Sequence, residues 1–397
     1  MILANWGDTE SLTQPADWSF PVPIAFGPGR FSEIGEQCRR LGMSRPLVVT
    51  DRGSVELPFV DAALGAISAA GGRGGVFADV SPNPTDRDAL AGRAAFVGGG
   101  HDGVVAIGGG SGMDAGKLVS LIANDRADLW AFDFDAPSAP DLVGGDFVPL
   151  ICVPTTAGTG AETESTAMVT DTEAGVKRCV WHPTHRPALA VLDPELTLGL
   201  PPHLTAWTGV DALVHAVEAF TVPGWHPLCD GLALEAMRLI GVSLPVAYER
   251  GDDLAARSAM LVGSCLAGVA FLKGLGLVHA ISHMVGAVHD THHGLTNAVL
   301  FPAVLEHNRP GIEAKASAMT TALGAKGHDF SALVDWVNTV LDQLQIPASL
   351  AEIGVPDSNL GEIAAKAMTD AAASTNAVAV SVDEVERLLR RAHRAAR

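Results

Sequence analysis

GVVAIGGGSGMDAGKLVSLIA, residues 103–123, runs from an apolar strand-like stretch (Gly103–Ile107) through Gly108, Gly109, Gly110 and Ser111 into an amphipathic helical pattern containing Asp114 and Lys117. Glycines at a strand-to-helix turn let backbone N–H groups approach a diphosphate, and the helix N-terminus adds a partial positive charge there. The stretch is neither GxGxxG nor a Walker A sequence, so in a chain with 43 Gly it also reads as an ordinary tight turn. Upstream, PLVVTDRG (residues 46–53) ends a strand at Asp51, about one strand–helix unit earlier. An acidic residue at a strand end can accept hydrogen bonds from an adenosine ribose. Taken alone, Asp51 is more readily a turn or capping aspartate.

Outward from this stretch the chain divides near residue 200. Before it, the β-branched runs PLVVTD, GGVFADV, GVVAI, PLICVPT, MVTD and ALAVLD alternate with Ala-rich segments and turn signals. That alternation predicts an α/β domain with a parallel sheet over residues 1–199. Beyond it, Leu204–Phe220, Gly231–Tyr248, Leu254–Val288, Leu295–Leu305, Phe330–Leu344, Leu360–Ala372 and Val382–Ala395 read as helices, giving an all-helical domain over residues 200–397. LDPELTLGLPP (residues 192–202) is the expected hinge, its prolines ending the last strand and starting the helical domain.

In the second half, Asp211 and His215 lie four apart in GVDALVHAVEAF, so a helix would present both from one face. His279 sits on a later helical stretch and His293 opens the next. One carboxylate and three imidazoles suit Fe(II), Zn(II) or Co(II), and affinity alone does not choose among them. Spacing by itself is equally compatible with ordinary histidines in a chain that has 14 His.

The order of segments resembles the iron-containing (group III) alcohol dehydrogenases of the dehydroquinate synthase-like fold. The matching pieces are FGPG at Phe26–Gly29, VVTD at Val48–Asp51, PNPT at Pro82–Thr85, GGGSxxDxxK at Gly108–Lys117, PTTAGTGAE at Pro154–Glu162, LDPELT at Leu192–Thr197, LPP at Leu200–Pro202, TGVDALVHAVEAF at Thr208–Phe220, and GLGLVHAISH through HHGLTNAVLFP at Gly274–Pro302. The resemblance implies an α/β dinucleotide-binding domain followed by an all-helical metal-binding domain. It implies Asp211, His215, His279 and His293 as metal ligands, with Fe(2+) the expected metal and Zn(2+) the alternative. It assigns Gly108, Gly109, Gly110, Ser111 and Asp114 to the diphosphate of NAD, and Thr155, Thr156 and Thr159 to the adenine and nicotinamide-ribose surroundings. Lys177 matches a lysine that helps hold the dinucleotide. Asp51 matches a carboxylate that favours NAD by repelling a 2′-phosphate. His283, four residues after His279, is implied to be a proton-relay or positioning group beside the substrate oxygen rather than a ligand. The implied reaction is hydride transfer between an alcohol and NAD in the cleft between the domains.

Two departures from the family's commonest pattern stand out. Lys273, in AFLKGLGLVH, replaces a neutral residue; a cleft-facing ammonium there would suit an acidic hydroxy or oxo substrate, whereas a solvated or snorkelling lysine would not. STNAVAV at Ser374–Val380 stands where Asn-Pro-Arg is usual, and no function is assigned to it. Trp225, His226 and Asp230 of PGWHPLCDG are explained equally by capping and subunit packing. Besides the acidic-substrate enzyme, a non-catalytic metal- or nucleotide-binding protein is the remaining alternative.

Composition bounds the same picture. The 397 residues are enough for two domains with cores, and a 48% hydrophobic content excludes a disordered chain. A net charge of −19 without a basic run argues against nucleic acid and anionic membrane surfaces as partners. Cys38, Cys152, Cys179, Cys229 and Cys265 form no CxxC pair, which favours a reducing cytoplasm over a disulfide framework. MILANWGDTESLT at the N-terminus has no apolar h-region, so no signal peptide is expected. The expected partners are a small alcohol or aldehyde and further copies of the chain, as a homodimer or larger homo-oligomer.

Overall fold

Short runs of Val, Ile and Leu that are buried on both faces can only be interior strands of a sheet covered on both sides, and this is where the first half of the chain places them. The computed structural model describes residues 21–394; the N-terminal stretch searched for a targeting signal lies outside them. The described chain forms two compact units, Pro21–Gly199 and the part from Leu200 onward.

The first unit is built from β1 (Ile24–Phe26), α1 (Ile34–Arg40), β2 (Pro46–Val49), α2 (Pro58–Ala69), β3 (Gly75–Phe77), α3 (Asp86–Gly98), β4 (Gly103–Gly108), α4 (Gly110–Ile122), β5 (Leu150–Pro154), β6 (Thr166–Asp171), β7 (Val176–Trp181) and β8 (Leu189–Leu192). Six strands make a parallel sheet in the order β1-β8-β5-β4-β2-β3. Strand alternation divides the core: Val48, Val105, Ile107, Ile151 and Val153 pack with Ile34 and Ile67 on one face. Leu47, Val49, Val104, Ala106 and Cys152 pack with Phe96, Met113 and Val119 on the other. From β2 the chain crosses outward to β3, and from β4 it crosses the opposite way to β5. The carboxyl ends of β2 and β4 therefore mark the point where the winding reverses, the usual place for a nucleotide in such a sheet.

MVTD, read above with the parallel strands, lies instead in β6, which pairs antiparallel with β7 in a separate two-stranded sheet. A short apolar run shows that a strand forms but not which sheet accepts it.

The second unit contains α5 (Pro202–Thr221), α6 (Pro227–Glu249), α7 (Leu254–Ala270), α8 (Leu277–His289), α9 (His293–Ile312), α10 (Ala316–Leu323), α11 (Phe330–Gln343), α12 (Leu360–Ala367), α13 (Ala371–Ser374) and α14 (Val382–Arg394), with no strand among the described residues. Prolines at the first turns of α5 and α6 start helices where an N–H would have no partner. From Thr205 to Thr221 every residue of α5 except Trp207 is buried, which makes it the central helix, packed by α6, α7 and α9. Leu254–Val288 is not one helix as expected. It breaks at Phe271–Gly276, where Gly274 takes φ 127°, a conformation side-chain-bearing residues rarely adopt. The stretch Leu360–Ala372 likewise divides between α12 and α13, because Asp370 leaves the helix to cap the next one. Pro227–Glu249 and Leu254–Lys273 are long and apolar enough to cross a membrane, with 39% and 61% of their apolar windows buried inside the fold, as core helices also are.

Candidate metal and dinucleotide sites

Four residues from three helices converge in the second unit. Asp211 and His215 come from α5, His279 from α8 and His293 from the first position of α9. One ligating atom from each lies within 4.8 Å of the others. The first three are buried, and the His293 side chain keeps 26% of its surface, so the cluster opens to solvent on its side. Gly294 lets α9 close on α5: a Cβ there would stand 2.4 Å from the Trp207 carbonyl oxygen.

Surrounding groups fix how these side chains point. Glu218, one turn beyond His215, accepts from the Gly276 and Val278 N–H groups at 2.9 and 2.7 Å and from His279 Nδ1 at 2.6 Å. That bond turns the ring so that Nε2 faces Asp211, the orientation a metal-binding imidazole needs, and metal binding there displaces the Nε2 hydrogen. The Asn297 amide nitrogen lies 2.6 Å from Asp211 Oδ1, 3.1 Å from His293 Nε2 and 3.2 Å from His279 Nε2. One carboxylate oxygen and two imidazole nitrogens therefore crowd a single amide nitrogen that has two hydrogens to offer. The buried Asn297 Oδ1 has no hydrogen-bond partner in the structure. Converging potential ligand atoms of this kind fit a cation at their centre once the imidazoles are neutral. Electrostatics agree: burial would raise the Asp211 carboxyl, but His215, His293 and His279 hold it well below the usual carboxylate range. Burial would lower His279, yet its bonds to Asp211 and Glu218 push it up to about 9.

His283 lies one turn beyond His279. Its ring stacks on His293 with centroids 5.2 Å apart, and its Nδ1 bonds Asp370 Oδ2 at 2.8 Å. Burial would raise Asp370, but the His283 charge and hydrogen bond keep its carboxyl below the ordinary range. Lys273 is neither a free cation nor a solvated side chain. Its ammonium bonds Asp230 at 2.6 Å with 5% of the side chain exposed. His226 Nδ1 accepts from the Cys229 N–H at the start of α6, so this histidine is a cap. Asn376, in the stretch assigned no function above, accepts from the Leu277 N–H at 3.1 Å and exchanges hydrogen bonds with Asn308.

In the first unit the glycine turn follows β4. Gly108 takes φ 149°, and a Cβ there would lie 3.3 Å from Asp51 Oδ2. Asp51 itself accepts from the Gly53 N–H at 2.9 Å and the Ser54 hydroxyl at 2.8 Å. Thr155 N–H donates to the Gly108 carbonyl at 2.9 Å. Thr156 and Thr159 stand beside Gly109 and Gly110. Ser111 donates to the Pro82 carbonyl, and Lys177 on β7 donates to Asn83 at 3.4 Å, so the PNPT loop links both to the turn. Asp114 lies one turn into α4. Behind the turn, the buried Lys117 donates to the Thr166 carbonyl at 2.8 Å. Burial raises the Glu162 and Glu164 carboxyls to about 7.

Sequence reasoning missed Glu218, Asn297, Asp370 and Asn376. Glu218 had a signal, since 211, 215 and 218 share one helical face. Asp370 had none locally, standing 87 residues from its partner.

Comparison with known proteins matches the family described as "Iron-containing alcohol dehydrogenase" over residues 21–194 and "Fe-containing alcohol dehydrogenase family, C-terminal" over residues 205–393. The chain is 35% identical over 380 residues, 95% of each chain, to the Escherichia coli K12 protein named "Probable alcohol dehydrogenase EutG". It is 33% identical over 379 residues to the NAD-dependent methanol dehydrogenase of Bacillus methanolicus, covering 94% of this chain and 98% of that one. Among solved structures, a 1,3-propanediol oxidoreductase superposes with TM-score 0.90 at 33% identity, over 96% of this chain and 100% of the other.

Proposed function

The chain belongs to the iron-containing alcohol dehydrogenase family, and from that premise we propose that it interconverts a small alcohol and its aldehyde or ketone with NAD(H), using a divalent metal held by Asp211, His215, His279 and His293. The observation that carries this reading is the convergence of those four ligating atoms within 4.8 Å, with Asp211 Oδ1, His279 Nε2 and His293 Nε2 gathered around one Asn297 amide nitrogen. Fe(2+) is the metal we assign, with Zn(2+) the alternative the same donors accept. When bound, such a metal supplies a Lewis acid for the substrate oxygen, and the nicotinamide supplies the hydride acceptor or donor.

The chain's own residues do the rest. The Gly108–Ser111 turn, with Asp114, Thr155, Thr156, Thr159 and Lys177 around it, binds and orients the dinucleotide, and backbone N–H groups at the start of α4 suit its diphosphate. Asp51 faces the adenosine ribose and disfavours a 2′-phosphate. Glu218 holds the His279 ring in one orientation through Nδ1. His283 exchanges the alcohol proton, a role suited to imidazole near neutral pH. The acidic-substrate alternative loses its motivating residue, because the Lys273 charge is already paired with Asp230. That the five cysteines form no disulfide supports a cytoplasmic site of action, and we place the enzyme there as a homodimer or larger homo-oligomer.

An alcohol and aldehyde panel with NAD(H) and NADP(H), after anaerobic reconstitution with Fe(II) or Zn(II), tests the proposal. Metal-dependent turnover with NAD(H) is the expected result. Bound metal and NAD without hydride exchange between alcohol and NADH would leave only a binding protein.

A further inference from the structure

The His283 ring has two nitrogens, and the fold has already used one. Nδ1 lies 2.8 Å from Asp370 Oδ2, with 11% and 10% of the two side chains exposed. The other carboxylate oxygen is also committed: Oδ1 accepts from the Ala372 N–H at 2.9 Å, the cap of α13. A carboxylate held at both oxygens cannot rotate away, so Nδ1 carries the hydrogen and donates it. Nε2 is then the nitrogen with a free lone pair. The ring is pinned from another side by its stack on His293, 15° from parallel, and meets His279 at 64°.

We propose that Asp370 is a positioning residue that fixes the tautomer and ring orientation of His283, so that Nε2 is the atom that takes the alcohol proton and returns it in carbonyl reduction. This rests on the reading of His283 as the proton-exchanging group. In the oxidation direction the alcohol O–H proton passes to Nε2 while hydride leaves the carbinol carbon for NAD, giving the carbonyl compound, NADH and an imidazolium. Asp370 stabilises that imidazolium through the Nδ1–H bond it already makes, and the proton then passes to water. A carboxylate holding an imidazole in this way governs which tautomer is available, and the wrong tautomer is costly even where geometry is kept.

Asp370→Asn is the decisive variant. The Ala372 N–H requires an oxygen at the Oδ1 position, so the new amide nitrogen must face His283 Nδ1 and donate to it, which moves the ring hydrogen to Nε2. In the reconstituted holoenzyme we expect unchanged metal content and NAD affinity. We expect kcat to fall about 10–100-fold, the usual scale for loss of an orienting partner, with little change in KM. In His283→Ala/Asp370→Asn we expect no loss beyond that of His283→Ala alone, because the aspartate acts only through the imidazole. Wild-type kcat in Asp370→Asn beside a slow His283→Ala would overturn the positioning role alone. Losses that multiply in the double variant would overturn it too, marking Asp370 as a structural cap. Wild-type kcat in His283→Ala would remove the proton-exchange reading, and this proposal with it.

Discussion

Asp51 is the turn aspartate that its sequence suggested, and its place beside Gly108 makes the proposed ribose contact open to test. It closes its own turn on Gly53 and Ser54, two residues past β2, and lies against Gly108, where the sheet's winding reverses. Its turn bonds use one direction of each oxygen and leave further acceptor capacity for a ribose. Asp51→Gly should therefore raise the NADP-to-NAD ratio of kcat/KM, on the order of tenfold, the factor that about 1.4 kcal/mol represents. Steady-state kinetics with both cofactors checks this, and an unchanged ratio would put the ribose elsewhere. Asp211 and His215 were legible at this scale because both lie on one helix, where spacing defines a face. Asn297 and Asp370 were not, because their roles come from contacts made only after distant elements meet.

Helix α8 carries both His279 and His283, and its first turn depends on groups from elsewhere in the unit. Glu218 takes the Gly276 and Val278 N–H groups and Asn376 takes that of Leu277. A Cβ at Gly276 would come within 2.7 Å of the Glu218 carboxylate, so the chain approaches these acceptors as closely as it can. Asn376→Ala would leave the Leu277 N–H and the Asn308 amide buried without partners. It should cost about 1–3 kcal/mol of stability, read as a lower urea midpoint, and weaken metal binding by misplacing the helix. An unchanged midpoint would mean that solvent reaches Leu277. Element identity was largely readable: runs such as GVVAI and PLICVPT announced buried parallel strands, and the 3.6-residue pattern announced the helices. The break before α8 was hidden because apolar character continues across it, and only the Gly274 backbone and the Glu218–Asn376 cap impose it. β6 and β7 went to a separate sheet for a related reason, since pairing partners are chosen by tertiary packing.

Over the whole molecule the proposed chemistries reside in separate units, the candidate metal ligands beyond Leu200 and the glycine turn within Pro21–Gly199. Asp211→Ala or His279→Ala should thus abolish metal content and turnover while NADH titration still reports binding; loss of both together would contradict that division. The first unit also carries a pH dependence of its own. Glu162 is 1% exposed and has an oxygen with no hydrogen-bond partner. Burial raises its carboxyl from the ordinary 4.5 to about 7, against the opposing effect of Lys117. Between those values the unfolded chain releases a proton that the folded chain keeps. Rising pH therefore favours unfolding: the contribution is fully present below about 4.5, is lost as pH rises through about 7, and stays flat above. Glu162→Gln cannot ionise, so its stability relative to wild type should increase from acidic pH up to about 7 and then level off, by at most about 3 kcal/mol. Glu164 shifts in the same direction, so the variant should keep a shallower slope rather than none. Urea unfolding of both proteins across this range at fixed metal and NAD(H) concentrations measures the difference. Parallel stability curves would show that Glu162 is ionised in the fold and that Lys117 outweighs its burial.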